Sequence, residues 1–298
     1  MTAKVLEGFS GKLAEQWVAT LLTPAFVFWA GGLAIYTHRI GWDSLTKWYS
    51  QYPEPLQIGI LVIGLCLVAA SAFVAQRFDT EVLRALEGYW YPGIRRILQP
   101  LVKYQRHRKS KIRKRFNDLD RTLNNNTVTL TANNFAEHVQ LDRALRQFPR
   151  EDYDMMPFRI GNVLRTAERY SGDRYGLDSI VCWTRLWLLL PDATKKDIQD
   201  SRTELNNAVR LFLWSLLFLV WTPLTWIAIP IALIAATFAY CWTTDAAEVY
   251  ASLIEATFDL HRHLLYQALR WEIPKDPNEE RRVGKQLTNY LWIGKVEN

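Results

Sequence analysis

The apolar positions of the chain are pooled into three long blocks, residues 17–37, 56–75 and 211–242, and between them apolar residues recur every three or four positions. A bilayer core about 30 Å thick takes roughly 20 apolar residues as helix, because each backbone amide and carbonyl must be paired within the segment. The first two blocks each predict one span. The third carries no charged residue over 211–242 and is too long for a single span without extreme tilt. Trp221, Pro223, Trp226 and Pro230 lie near its middle, where Trp favours the headgroup level and Pro suits a turn. The block therefore predicts a hairpin of about 206–222 and 226–244. A single broken segment is the alternative, and it would place the C-terminus on the other side of the membrane. The expected fold class is an all-α integral membrane protein of four transmembrane helices, two before and two after a helical cytoplasmic domain, ending in a helical tail.

Between the second and third blocks the pattern is helical. Residues 77–87 are good helix formers that extend the second span, and Gly88 and Pro92-Gly93 break the run. Ile94, Ile97, Leu98, Leu101 and Val102, then Ile112, Phe116, Leu119 and Leu123, mark one face of a helix kinked at Pro100. Asn124-Asn-Asn-Thr127 marks a loop. Further helices are expected near 134–148, 158–170 and 177–190, separated by Pro149, Pro157, Ser171-Gly172 and Pro191. Asp192 caps a helix free of Gly and Pro up to Pro223, so it can run unbroken into the third span and carry movement of the cytoplasmic domain to the membrane. The last helix is expected from Asp245 to about Trp271. The domain organisation that follows is a cytoplasmic segment 1–16, spans and outer loop over 17–76 with the loop at 38–56, a cytoplasmic domain 77–205, the hairpin 206–244 and a tail 245–298.

Charge sets the orientation. Residues 77–208 hold 24 Lys/Arg against 17 Asp/Glu, whereas the loop 38–56 holds only Arg39 and Lys47. Excess Lys and Arg mark the cytoplasmic side, so both termini are expected there. The first block reads as a signal anchor, since its apolar run exceeds a cleaved signal core and Lys4 and Lys12 are offset by Glu7 and Glu15. A prokaryotic inner (plasma) membrane is the expected location. Composition adds that 49% of the 298 residues are hydrophobic and that Trp, Tyr and Phe number 13 each, although the mean hydropathy is only −0.10. A wholly soluble enzyme, a disulfide scaffold and a disordered chain are excluded. The three cysteines, Cys66, Cys182 and Cys241, have no paired or metal-type spacing and read as small apolar fillers.

Candidate chemistry is sparse. No phosphate loop, dinucleotide fingerprint, nucleophile elbow or His-Glu-x-x-His occurs. The five histidines are scattered, and no ionisable residue falls in the core of an expected span, which disfavours proton-coupled transport and intramembrane hydrolysis. No catalytic residue, cofactor site or metal site can be named, and the chain does not read as an enzyme. Small residues in the second span allow close helix approach, and a homo-oligomer is expected because four short spans enclose little by themselves. Gly59, Gly64, Val68 and Ser71 are the pore-lining candidates of a narrow apolar gate. Lys103, Arg106, Arg108, Lys109, Lys111, Arg113, Lys114 and Arg115, with no acid among them, form a basic block. It reads first as a solvated face and next as a contact for anionic lipid; nucleic acid is disfavoured. Trp183 and Trp187, in an apolar run around Arg185, are candidate partner or gating residues. So are Asp245, Glu248, Glu255 and Asp259, an acidic stripe at helical spacing whose plain reading is a solvated face or salt bridges to the basic helix.

The order of two spans, a long helical insert, two spans and a tail is similar to the layout of bestrophin-type ion channels, and to their layout alone. No acidic run resembling that family's calcium clasp occurs here, so no residue role is carried across. The function expected from the residues is an oligomeric membrane ion channel or pore gated through its helical cytoplasmic domain. The alternative is a non-conducting membrane-anchored receptor or scaffold that recruits a cytoplasmic protein partner.

Overall fold

A computed structural model describes residues 23–124, 132–274 and 276–294. Among them all regular structure is helical, with no strand. The order is α1 (Thr23–Ile40), α2 (Trp42–Ser50), α3 (Glu54–Arg77), α4 (Asp79–Glu87), α5 (Pro92–Ile97), α6 (Gln99–Asn124), α7 (Ala132–Arg146), α8 (Arg159–Tyr175), α9 (Ser179–Leu189), α10 (Asp192–Leu217), α11 (Ala228–His261), α12 (His263–Ala268) and α13 (Pro277–Ile293). Short 3-10 turns lie at Asp152–Asp154 and Phe218–Trp221.

Two of these helices, α3 and α11, are long and apolar enough to cross a membrane, rather than the four expected. The shortfall has local causes. Residues 17–22 of the expected first span lie outside the described residues, and the last turn of α1 carries His38 and Arg39. The expected third span is the end of α10, which carries Arg210 and stops at Leu217, where the backbone tightens into the 3-10 turn. The chain then reverses before Ala228. Phe212 and Tyr240 come together on the returning arms with ring centroids 6.4 Å apart, a hairpin and not one broken segment.

Other boundaries also move. The loop 38–56 contains α2, a helix with no buried residue. Instead of the expected single helix kinked at Pro100, the chain breaks at Leu98, whose amide closes the last turn of α5 on Ile94, so Pro100 sits in the first turn of α6, where its missing amide costs nothing. The loop residues Asn125 to Thr127 lie outside the described residues. The last long helix ends at His261, and α12 and α13 follow, the latter with no counterpart in the sequence reading.

The chain divides into two compact units. The first joins the described residues up to Leu83 with Glu204–Thr243. Its small core is Ala25 and Phe28 of α1, Ala72 and Ala75 of α3, and Trp214 of α10. Phe28 packs against Trp214 and Trp221 at centroid distances of 5.1 and 5.4 Å. Gly32 permits this, since a Cβ there would come 2.1 Å from the Trp221 ring. Arg39 at the end of α1 donates to the carbonyls of Pro223 and Leu224 in the turn, satisfying groups that the reversal leaves open.

The second unit joins Arg84–Thr203 with the residues from Thr244 onward. Its core packs Tyr175 and Leu177 against Cys182, Leu186, Phe258 and Leu265, with Tyr266 and Leu287 closing it. Local signals set its helices. The Asp178 carboxylate accepts from the Val181 amide at 3.2 Å and caps α9, Gly176 ends α8 in the left-handed region at φ 75°, and Pro191 separates α9 from α10.

Candidate functional site

The four pore-lining candidates divide along α3. Val68 packs against the core of the first unit, and Ser71 accepts from the Trp29 indole at 3.1 Å while donating to the Val68 carbonyl. Gly59 and Gly64 face open space: a Cβ at either would meet nothing within 4 Å. Only 11% of the most apolar stretch of α3 is buried by the rest of the chain. Beside it, α1 and the returning arms of α10 and α11 leave an apolar groove of about 680 Å³, lined by Phe28, Trp214, Phe218, Phe238 and Trp242. One charged pair is buried in this unit. Arg210 donates from Nε to Asp79 at 3.2 Å and from Nη2 to its second oxygen, with side-chain exposures of 4% and 9%. The sequence reading places no ionisable group in a span core; Arg210, near the start of the expected third span, has its counterion at the start of α4, where an acid also favours the helix dipole.

The basic block folds as one helix, α6, and its members have different partners. Lys109 is turned inward and buried, donating to Asp152 at 2.7 Å and to the Arg150 carbonyl at 2.9 Å. Asp152 is held below the usual carboxylate range chiefly by that hydrogen bond. Arg115 makes a two-pronged pair with Glu137 on α7, at 2.7 and 2.9 Å. Arg108 lies over the Phe148 ring at 5.9 Å. Lys103, Arg106, Lys111, Arg113 and Lys114 are exposed and form no ion pair among the described residues.

The acidic stripe on α11 is less solvated than its spacing suggests, and its partners are on other helices than α6. Glu248 accepts from Gln147 at 2.8 Å, from Arg159 at 2.8 Å and from Arg143 at 3.3 Å, tying α7 and α8 to α11. Asp259 accepts from the hydroxyls of Tyr170 and Tyr175. Burial and that bond to a carboxylate push the Tyr175 hydroxyl up to about 12. Glu255 is half-buried and Asp245 exposed. Trp183 and Trp187 sit on α9 with centroids 5.9 Å apart, and Trp183 also packs on Phe258 at 5.9 Å, so both belong to the border of the core.

A further constellation has no signal in the sequence. Five helices of the second unit line an open cavity of about 310 Å³, with Glu87 of α4, Glu168 of α8, Trp183 of α9, Arg202 of α10, and Tyr250 and Ile254 of α11 in its walls. The end of α4 reaches it because Gly161 of α8 has no side chain; a Cβ there would lie 2.0 Å from the Glu87 carbonyl. Burial pushes the Glu87 carboxyl up to about 7; Arg202 and Arg84 oppose the rise and the negative Glu168 adds to it. Glu168 is committed to Arg165 at 2.9 Å. The Arg202 guanidinium lies over the Tyr250 ring at 5.5 Å. Glu87 and Arg202 form no ion pair or hydrogen bond with each other among the described residues. No group of three His, Cys, Asp or Glu side chains suited to a metal ion occurs among the described residues. No family model matches the chain, and no curated protein or solved structure matches it.

Proposed function

We propose that the chain is an oligomeric membrane ion channel or pore, with the second unit as its gating domain on the cytoplasmic side. The observation that carries this reading is the bareness of α3, an apolar 24-residue helix of which 11% of the most apolar stretch is buried by its own chain. Such a helix needs an apolar surrounding supplied from outside, and its open small-residue positions, Gly59 and Gly64, suit close approach of another helix. With α3 this bare within one copy, conduction calls for several copies around an axis. In the four-span form of this reading, α3 and α11 cross fully, while α1 and the arm 211–221 complete the count. The excess of Lys and Arg between α3 and α11 supports a cytoplasmic side for that segment, with both termini on the same side in this reading. Two helices, α10 and α11, each run without a break from one unit into the other, the kind of element through which a gating domain acts.

The test is ion flux from liposomes loaded with the purified protein, compared with Gly64→Leu. A Cβ at Gly64 meets nothing within 4 Å in its own copy, so a changed flux with unchanged folding reports contact between copies or with the conducting path. Absent flux together with a monomer by cross-linking would sink the proposal. A second reading, a membrane-anchored scaffold for a cytoplasmic protein, is favoured by Ile180 and Leu188 on α9, which are 68% and 73% exposed. It expects no flux, and loss of a defined protein partner on Leu188→Asp.

A further inference from the structure

We propose that the cavity between α4, α8, α9, α10 and α11 of the second unit binds a small zwitterion of the apolar α-amino-acid class, its carboxylate on Arg202 and its ammonium on Glu87. The cavity, about 310 Å³, lies at the small end of ligand sites and has room for one small molecule. It holds two opposite charges, both half-buried, that do not close on each other: among the described residues no ion pair or hydrogen bond links Glu87 to Arg202. Charges brought this far out of water and left unjoined are unfavourable in the empty site, and a ligand bearing the complementary pair removes that penalty at both ends.

The neighbouring groups narrow the choice. Glu168 is satisfied by Arg165 and adds negative potential without being available as a direct partner. Arg202 lies over the Tyr250 ring at 5.5 Å, and its planar fork suits a carboxylate. Trp183, braced by Phe258, and Ile254 supply an apolar wall for a hydrocarbon side chain. A bare metal cation fits poorly, because a guanidinium shares the cavity with the carboxylates. A simple anion leaves Glu87 unanswered, and a simple amine leaves Arg202 unanswered. The carboxyl of Glu87, pushed up to about 7 by burial, is partly protonated at neutral pH, so an ammonium that needs it ionised displaces a proton. With Glu168, Arg202 and Arg84 as the other charged groups acting on Glu87, binding strengthens as pH rises through about 7.

This inference deepens the gating role proposed for the second unit, yet its test reads binding and not flux, so the two can fail separately. Calorimetry on the detergent-solubilised full chain compares leucine with leucine methyl ester, which lacks the carboxylate, and 4-methylpentanoate, which lacks the amine. Leucine is expected to bind saturably and each truncated analogue at least about tenfold more weakly. Arg202→Gln should abolish the preference for leucine over its ester, and Glu87→Gln the preference over 4-methylpentanoate. Glu87→Gln keeps the side chain's shape, so it separates lost charge from lost folding. Absence of saturable binding by leucine, isoleucine and phenylalanine, or binding indifferent to both deletions, would overturn the proposal.

Discussion

The two units use apolar residues in opposite ways. In the second, large side chains such as Phe258, Leu265 and Tyr266 are fully buried, and ion pairs such as Arg262 with Glu280 lie beside them. In the first, the buried apolar residues are mostly small, with Ala25, Ala72 and Ala75 beside Phe28 and Trp214, while Leu61, Ile63 and Leu65 of α3 stand exposed. One buried ion pair, Arg210 with Asp79, sits among them. A water-soluble unit built like the first would expose far more contiguous hydrocarbon than soluble proteins tolerate. The contrast teaches that the second unit has a large-residue interior of its own, whereas α3 of the first leaves most of its apolar side chains uncovered within one copy.

The largest effect that tests this contrast is a pair of truncations. Phe258→Ala leaves a cavity in the second unit and should cost about 3–5 kcal/mol. Leu65→Ala removes a side chain that touches little of its own chain and should change stability by less than about 0.5 kcal/mol. Chemical unfolding in detergent micelles measures both. A large cost for Leu65→Ala, appearing only where the protein is oligomeric, would identify copies rather than lipid as the covering of α3.

Comparable in size is the buried ion pair. Asp79→Ala strands the Arg210 guanidinium and should destabilise by about 3–5 kcal/mol, whereas replacing both residues by leucine should recover much of that loss. The same unfolding experiment decides it. If the double replacement is as damaging as the single, the pair serves more than mutual compensation.

A smaller effect separates the units by pH. Glu87 has an ordinary pKa of 4.5 and is raised to about 7 in the folded second unit. Its protonated form is therefore favoured by folding. The contribution to stability is present below about 4.5 and is lost as pH rises through about 7. The thermal midpoint of wild type should fall across that window more steeply than that of Glu87→Gln, and equal slopes would show that the carboxyl titrates as it does in water.

The helical class was legible from periodicity, and so were several boundaries, because the signals that make them are local. Asp178 caps, Pro191 interrupts, Gly176 terminates, and the uncharged stretch 55–76 of α3 has no competing structure. The span count read from hydropathy exceeds the two helices long and apolar enough to cross, because a hydropathy window ignores how a helix ends. The window over 211–242 sees no charge, but α10 stops at Leu217 and turns, and α1 closes on His38 and Arg39. The cavity of Glu87, Trp183, Arg202 and Tyr250 was invisible for a different reason. Its residues come from separate helices with no shared motif, and only the close passage of α4 over Gly161 brings the first of them to the rest. The acidic stripe on α11 was visible as a pattern, yet its partners Arg143, Arg159, Tyr170 and Tyr175 belong to helices far away in sequence.

The smallest effect concerns α6, where one charge block contains residues of both kinds. Lys109 is buried against Asp152, so Lys109→Ala should lower stability, as expected for a group with internal partners. Lys111, Arg113 and Lys114 are exposed and unpaired, and replacing all three by alanine should leave folding within about 0.5 kcal/mol of wild type. What they should alter is attraction to anionic lipid, at roughly 1 kcal/mol for each side chain near the surface. Hydrogen exchange of α6 in nanodiscs reads this directly. Protection should rise when a neutral bilayer is exchanged for an anionic one, fall again at high salt, and be lost in the triple variant while Lys109 keeps its pair. Equal protection in both bilayers would make these cations a solvated face that only biases orientation, and would leave α6 dependent on its contacts to α7 and to the segment 148–157.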